Sequence, residues 1–432
     1  MSINKYYNLA KNTLYPICRS LTGKGTKKTL SIIKNEFPSL KIYNVSSRSK
    51  VFDWNVPDEW NVSDAYVLDK KSNKIIDFKL NNLHLVGYSI PVNKIVNKVE
   101  LFKHLHSLPK QPDAIPYITS YYKKYWGFCV THKKKNKFNK KYKKNDKFKV
   151  VIKSSLNFNG YLNYGELVIK GQSKQEILIC TYICHPSMAN NELSGPIVLM
   201  SLINYFKKIK NLSKTIRFIF IPETIGSIIY LSKNLYDLKS NLIGAYNLSC
   251  IGDERQHSCL LSKYENSPSD KALIEAYKKL KIKYKKYSFL KRGSNERQFN
   301  SPGIDLPMTS IFRSKYGEYP EYHTSLDNFN LVTIKGVKDG FKVACKAVNI
   351  LLKKTFPQNL VLCEPQMSKR GIYPSISNYS NKKLNKITQK YMDFLQYADG
   401  RNDLKDISNK IQTNLLLAKK IYITLKKNNL VR

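Results

Sequence analysis

The stretch EILICTYICHPSMANNELSGPIVLMSLINYFKKI, residues 176–209, decides the fold. Its opening ILICTYI (177–183) is a nearly unbroken apolar run of strand length, as a strand buried on both faces requires. The polar cluster CHPSMANNELSG (184–195) follows, and Ser194-Gly195 opens an apolar segment long enough to be a helix. The same alternation continues downstream. TIRFIFIPE (215–223) leads into SIIYLSKNL (227–235), and LIGAYNLSCIG (242–252) precedes DKALIEAYKKLKI (270–282). LPMTSIFR (306–313) is followed by IKGVKDGFKVACKAVNILLKK (334–354). Strand–helix alternation predicts an α/β fold with a mostly parallel sheet flanked by helices. In such sheets the chemistry gathers at the carboxyl ends of the strands.

Outward from this unit the texture changes. Residues 3–37 carry apolar residues at helical intervals, with a break at Gly23–Gly25. From about 40 to 170 the chain breaks into short β-rich pieces, among them DAYVLD, HLVGYSI and FKVVIK. The expected organisation is an α/β domain from 1–40 and 170–360, a small β-rich domain inserted at 41–169, and a third unit at 365–432. That third unit reads as three helical segments, a small winged-helix-like or helix-turn-helix module. The run from His132 to Lys149, Lys alternating with Asn, predicts a solvated loop.

The 432 residues carry 74 Lys+Arg against 31 Asp+Glu, a net charge of +43. Ten of those cations are Arg and 64 are Lys, whereas a phosphate-gripping surface favours the arginine fork. The terminal helices also lack an Arg/Asn/Gln-rich reading face, which argues against sequence-specific nucleic-acid binding, although the charge attracts polyanions. No apolar run reaches the roughly 18 residues of a membrane span, and MSINKYYNLAKNTLYP lacks a signal-peptide layout. Eight dispersed cysteines without a CxxC pair fit reduced thiols and a cytoplasmic location. A homo-oligomer is left open.

Three strand ends carry polar clusters. His185 lies just past a buried strand, with Asn191 and Glu192 in the same loop; a His and a carboxylate so placed suit a metal ion, or Glu192 simply favours a helix dipole. Glu223 closes a buried apolar run, where a carboxylate must be paired, metal-bound or kept for proton transfer. His323 sits in RSKYGEYPEYHTSLDN (313–328), among aromatic, acidic and hydroxyl residues. Two His and a Glu at successive strand ends of one sheet converge on one site.

These residues carry a specific resemblance. HP…ANNELSG, PETIGS, NLSCIG, RGSNERQ…PGIDLP and YHTSLD, in that order, resemble the zinc aminopeptidase superfamily. More narrowly, the chain resembles a bacterial aminopeptidase-like family of unknown function with an inserted β domain and a C-terminal winged helix, often linked to polysaccharide biosynthesis clusters. Further matches are RSLTGKGTKKTL (19–30), VFDWNVPDEW (51–60), LVGYSIPV (85–92), AIPYITSYYKKYWGFC (114–129) and CEPQMSKRGIYP (363–374). The resemblance implies that His185 and His323 hold metal and that Glu223 is the general base. It also implies acidic residues where Asn191, Thr224, Ser249 and Asn295 stand.

The expected activity is therefore that of a metalloprotease-like hydrolase of an amide or peptide bond, with one zinc rather than two. His185, His323 and a carboxylate such as Glu192 or Asp253, beside Asn191, would hold the ion. Asn295, Glu296, Arg297, Arg313, Tyr316, Glu318 and Tyr322 are expected around the substrate. Arg297 or Arg313 would anchor a carboxylate, and Glu318 or Glu321 a free amine; a structural salt bridge is an equal reading of Arg297. The expected partner is a small peptide or an aminoacyl- or acylamino-sugar-like molecule. The alternatives are a catalytically impaired scaffold and a polyanion- or nucleic-acid-binding protein.

Overall fold

The computed structural model describes residues 2–372 and 382–432. At its centre is an eight-stranded sheet. From one edge to the other its strands are Lys41–Ser46, Tyr161–Ile169, Thr215–Ile221, Glu176–Tyr182, Leu242–Leu248, Met308–Phe312, His257–Leu260 and Tyr284–Tyr287. The four central strands run parallel, and antiparallel pairings flank them on both sides. The sheet is mixed because Lys41–Ser46 and Tyr161–Ile169 join one side from the expected insertion, and on the other His257–Leu260 runs against Met308–Phe312.

Alternation along each central strand separates two cores. Ile177, Ile179, Phe218 and Phe220 face one, with the helices Lys24–Glu36, Ser194–Phe206, Pro268–Leu280 and Ile334–Lys353. Leu178, Cys180, Ile219 and Ile221 face the other, covered by the helix Ile225–Asn241 and by Trp60, Val67 and Phe148 of the insertion. Helix Ser194–Phe206 packs tightly at its start, where a Cβ on Gly195 would overlap the Thr181 hydroxyl and the Leu248 carbonyl.

The insertion contributes a four-stranded antiparallel sheet, Lys74–Asp77, Glu59–Leu68, Lys147–Asn157 and Val92–Asn97. Lys41–Ser46 and Tyr161–Ile169, inside the expected 41–169 span, belong to the large sheet. The run at 132–149 is not a loop throughout: His132–Lys141 is a helix, capped by the Thr131 side chain on Lys134 N–H and anchored by buried Phe138. A single apolar residue in a lysine tract gave no periodicity to read.

The C-terminal winged-helix unit comprises the helices Lys382–Tyr397, Leu404–Lys410 and Leu415–Lys427, around Phe394, Ile407, Ile421 and Leu425. The final two residues of CEPQMSKRGIYP lie outside the described residues. Among the described residues no helix is long and apolar enough to cross a membrane.

Candidate functional site

In the segments that follow the central strands, the chain holds four residues under strain. Ser187, Thr224, Cys250 and His323 all have left-handed φ, between 46° and 61°. For residues other than glycine this costs about 1–3 kcal/mol each and needs strong local anchoring. Thr224 N–H donates to Asn295 Oδ1 at 3.0 Å, and the His323 carbonyl accepts the Tyr117 N–H at 2.9 Å.

His185 is placed from behind. Its Nδ1 lies 2.8 Å from Glu192 Oε2, in the wide turn Ala189–Leu193 that precedes the helix. Glu192 has no exposed side-chain surface, and its other oxygen is 3.7 Å from Nε of the equally buried Arg19. Arg19 Nε also donates to the His185 carbonyl at 3.0 Å. An Nδ1–H held by this carboxylate leaves Nε2 as the free ring nitrogen, as in carboxylate–histidine–metal arrangements. That Nε2 faces Glu223 Oε2 at 3.7 Å, too far for a hydrogen bond.

His323 completes the group, its ring centroid 5.3 Å from that of His185. The Tyr117 ring packs edge-on against both histidines, and Tyr322 stacks on His323 at 3.9 Å. Burial first, and His185 second, push the His323 pKa down to about 3, so the ring is neutral. Burial opposes a charge on His185 too, but Cys184 and Glu192 outweigh it and hold its pKa well above the ordinary value, so an ion bound at Nε2 would have to displace a proton there. Burial raises Glu223, against the pull of His185, Ser294 and Arg297.

His185, Glu223 and His323 line one cavity of about 330 Å³, whereas Tyr322 and Asn295, expected around the substrate, stand behind its lining. His185, Glu223, Thr224 and Arg297 come from the α/β unit together with His323, and Trp54, Tyr117, Tyr121 and Tyr122 from the insertion. Two observations fit a metal cation there. The His185 Nε2 and the Glu223 oxygen face each other without a hydrogen bond, and His323 Nε2 is buried with no partner. Imidazole nitrogens and a carboxylate oxygen suit zinc. Among the described residues, the group of three metal-capable side chains with donors within 4.8 Å of one another is Cys184, His185 and Glu192. Its spacing is that of a hydrogen-bonded cluster, and the Arg19 cation beside Glu192 disfavours an ion at that spot.

Several expected site residues stand elsewhere. Glu192 is behind His185 and not in the cavity. Asn191 Oδ1 accepts from the Tyr182 hydroxyl at 2.7 Å, and its N–H donates to Asp327. Asp253 is spent on Asn190, Ser314 and the Arg255 N–H. Arg313 donates to the Asp253 carbonyl and contacts His257. Glu296 accepts from the Gly293 and Ser294 N–H groups and from Tyr316, with both Glu296 and Tyr316 buried. Glu318 pairs with Lys285 and Lys291 at the surface. Arg19, Tyr117, Tyr121 and Asp327 also build the site; all four lie within the motifs quoted above, but their residue types alone mark no role there.

A family model described as "Domain of unknown function (DUF4910)" matches residues 7–354, and one described as winged helix-turn-helix matches 355–432. A Clostridium acetobutylicum protein is 42% identical over 405 residues, 94% of this chain and 90% of its own length. It is provisionally named a polysaccharide biosynthesis protein with an aminopeptidase-like domain. The crystal structure of a C. acetobutylicum protein provisionally named a peptidase matches with TM-score 0.78 and 38% identity, over 100% of this chain and 96% of its own. BSAP, a zinc aminopeptidase from Bacillus subtilis, shares the fold with TM-score 0.59 at 13% identity, over 81% of this chain and 94% of its own.

Proposed function

We propose that this chain, which belongs to the DUF4910 family and carries a C-terminal winged helix-turn-helix, is a metal-dependent hydrolase of an amide or peptide bond with Glu223 as general base. The observation that carries this reading is the His185–Glu223 pair facing one cavity at 3.7 Å, with the unpartnered His323 Nε2 beside it. His185 and His323 would hold one zinc ion, which supplies Lewis acidity toward water and the substrate carbonyl. Glu223 takes the proton of the attacking water and returns it to the leaving amine as the C–N bond breaks. Burial lifts the basicity of Glu223 toward that task. Glu192, backed by Arg19, fixes the His185 tautomer. The aromatic residues of the insertion border the substrate. A small peptide or an aminoacyl- or acylamino-sugar is the substrate class, the latter in keeping with the name of the C. acetobutylicum relative. Eight cysteines without a disulfide suit a cytoplasmic setting.

One observation favours a second reading, a binding module that no longer turns over. Asn191, Thr224 and Ser249 are neutral where the resemblance implies acids, and two of them are engaged within the protein. Metal analysis of protein made without a His-tag, combined with an amide-hydrolysis screen, separates the two. One zinc per chain is expected. Glu223→Gln should lower turnover by roughly 10²–10⁴-fold with the metal retained, and His185→Ala and His323→Ala should lose both metal and activity. Normal turnover by Glu223→Gln eliminates the mechanism. Metal-free, inactive parent protein establishes the binding module.

A further inference from the structure

We infer that the cavity selects a substrate that presents a carboxylate and lacks a free amine, with Arg297 as the residue that reads the carboxylate. This deepens the hydrolase reading and rests on it: an aminopeptidase-like fold here takes N-acylated acids in place of peptides with free amino ends.

A buried ammonium needs a carboxylate beside it. The carboxylate lining the cavity is Glu223, and the reaction uses it. Other nearby acids are committed elsewhere. Glu321 is gripped bidentately by Arg255 at 2.7 and 2.8 Å, and Glu318 is held by two surface lysines. Glu296 is fully buried and saturated with donors, and Glu192 stands behind His185 facing Arg19. Among the described residues no uncommitted carboxylate lines the cavity to hold a substrate ammonium.

Arg297 is in the opposite condition. One terminal nitrogen donates to the Thr224 hydroxyl at 2.5 Å, while Nε is buried without a partner. Among the described residues the guanidinium has no carboxylate within ion-pair distance, and it opens on the same cavity as Glu223 and His185. Because Nε is closed off by the surrounding protein, a carboxylate in the cavity meets this cation through its terminal nitrogens. Thr224, held at its strained φ through Asn295, fixes the direction from which Arg297 enters.

The test reads binding in the full-length protein without turnover. Trp54 lines the cavity and is 40% exposed, whereas Trp60 and Trp126 are buried, so tryptophan emission reports occupancy. N-acetylphenylalanine, a carboxylate with a blocked amine, is titrated against phenylalaninamide, an ammonium without a carboxylate. The acid should bind at least about tenfold more tightly, the effect of one charge-assisted contact worth some 1.4 kcal/mol. Arg297→Gln should bring the two within about twofold, and Arg297→Lys should keep part of the difference. Equal or tighter binding of the amide by the parent overturns the inference without recourse to any variant. So does a preference that survives in Arg297→Gln, or a parent that binds neither probe at millimolar concentration. A protein that prefers the acid but hydrolyses no amide fails the hydrolase reading alone. One that hydrolyses amides yet prefers the free amine fails this inference alone.

Discussion

The floor of the cavity, made by strand ends of the large sheet, is polar and backed by a buried network, whereas its outer wall, made by the insertion, is aromatic and partly open. Behind the floor residue His185, the side chains of Arg19, Asn190, Asn191, Glu192 and Asp327 are all buried and tied to one another across the chain. In the wall, Trp54 and Tyr122 are 40% and 56% exposed and meet edge-on at 6.2 Å. Tyr117 and Tyr121 are half-buried and share a hydroxyl contact of 3.0 Å. A buried polar network is costly to leave half-satisfied, so one arrangement is enforced. An exposed aromatic surface imposes no such demand and is free to vary with the ligand. Reactivity therefore belongs to the floor and, apart from the Arg297 contact, selection belongs to the wall, and substitutions should divide the same way.

The largest effect is expected at Glu192. Glu192→Ala strips the acceptor from His185 Nδ1 and leaves the Arg19 guanidinium buried without a counter-charge. Loss of one member of a buried pair costs about 3–5 kcal/mol, read as a drop in the urea midpoint. Metal affinity in a chelator competition should fall roughly 10–100-fold, as for other orienting partners of a metal histidine. The paired change Arg19→Met with Glu192→Gln restores most of the stability, since no unpaired charge remains. Parent-like unfolding by Glu192→Ala would contradict the ordered floor.

A smaller effect is expected from the pH response of Asp327. Its carboxylate accepts the Asn190 and Asn191 N–H groups and the Tyr319 hydroxyl, yet burial outweighs these donors and lifts its pKa to about 6. The folded state thus binds a proton more tightly than the unfolded chain, whose aspartate titrates near 3.8. The resulting stabilisation is complete below pH 4 and is lost as pH rises to and through 6. With about 1.4 kcal/mol per pKa unit the difference is on the order of 3 kcal/mol. Urea unfolding at pH 4 and pH 7 should show the parent losing that amount relative to Asp327→Asn. Parallel pH profiles for the two proteins would remove Asp327 from the floor's charge balance.

The contrast also explains what was legible in the sequence. Strand–helix alternation between 175 and 355 is a matter of local periodicity, and His185, Glu223 and His323 each follow an element readable on its own. The cavity brings those three together. The supports were not legible, because they act across long separations: Arg19 reaches His185, and the Tyr117 N–H fixes His323. Glu192 carried a signal for the site but not for its role, since ligand and orienting carboxylate have the same residue type at the same spacing. Asp253 misled for a related reason: it is an acid after a strand end whose oxygens go to Asn190, Ser314 and Arg255. The wall came from a segment whose β-rich texture says nothing about which rings face the active strand ends.

The smallest effect is expected at Trp54, and it sharpens the division most directly. The side chain sits on a two-residue strand paired with Lys50–Val51, with its indole at the cavity mouth and no hydrogen bond to the floor. Trp54→Ala removes a partly exposed ring, so the unfolding free energy should stay within about 0.5 kcal/mol of the parent. A ligand ring packed against it would lose an aromatic contact worth about 0.5–1.5 kcal/mol, or roughly 2–10-fold in affinity. Because the fluorescent reporter is itself removed, calorimetry with N-acetylphenylalanine is the measurement. Weaker binding with unchanged stability and unchanged metal content places Trp54 in the selecting wall. A Trp54→Ala protein that loses metal or unfolds early would mean that the insertion also holds the floor in place, and the separation of reactivity from selection would fail.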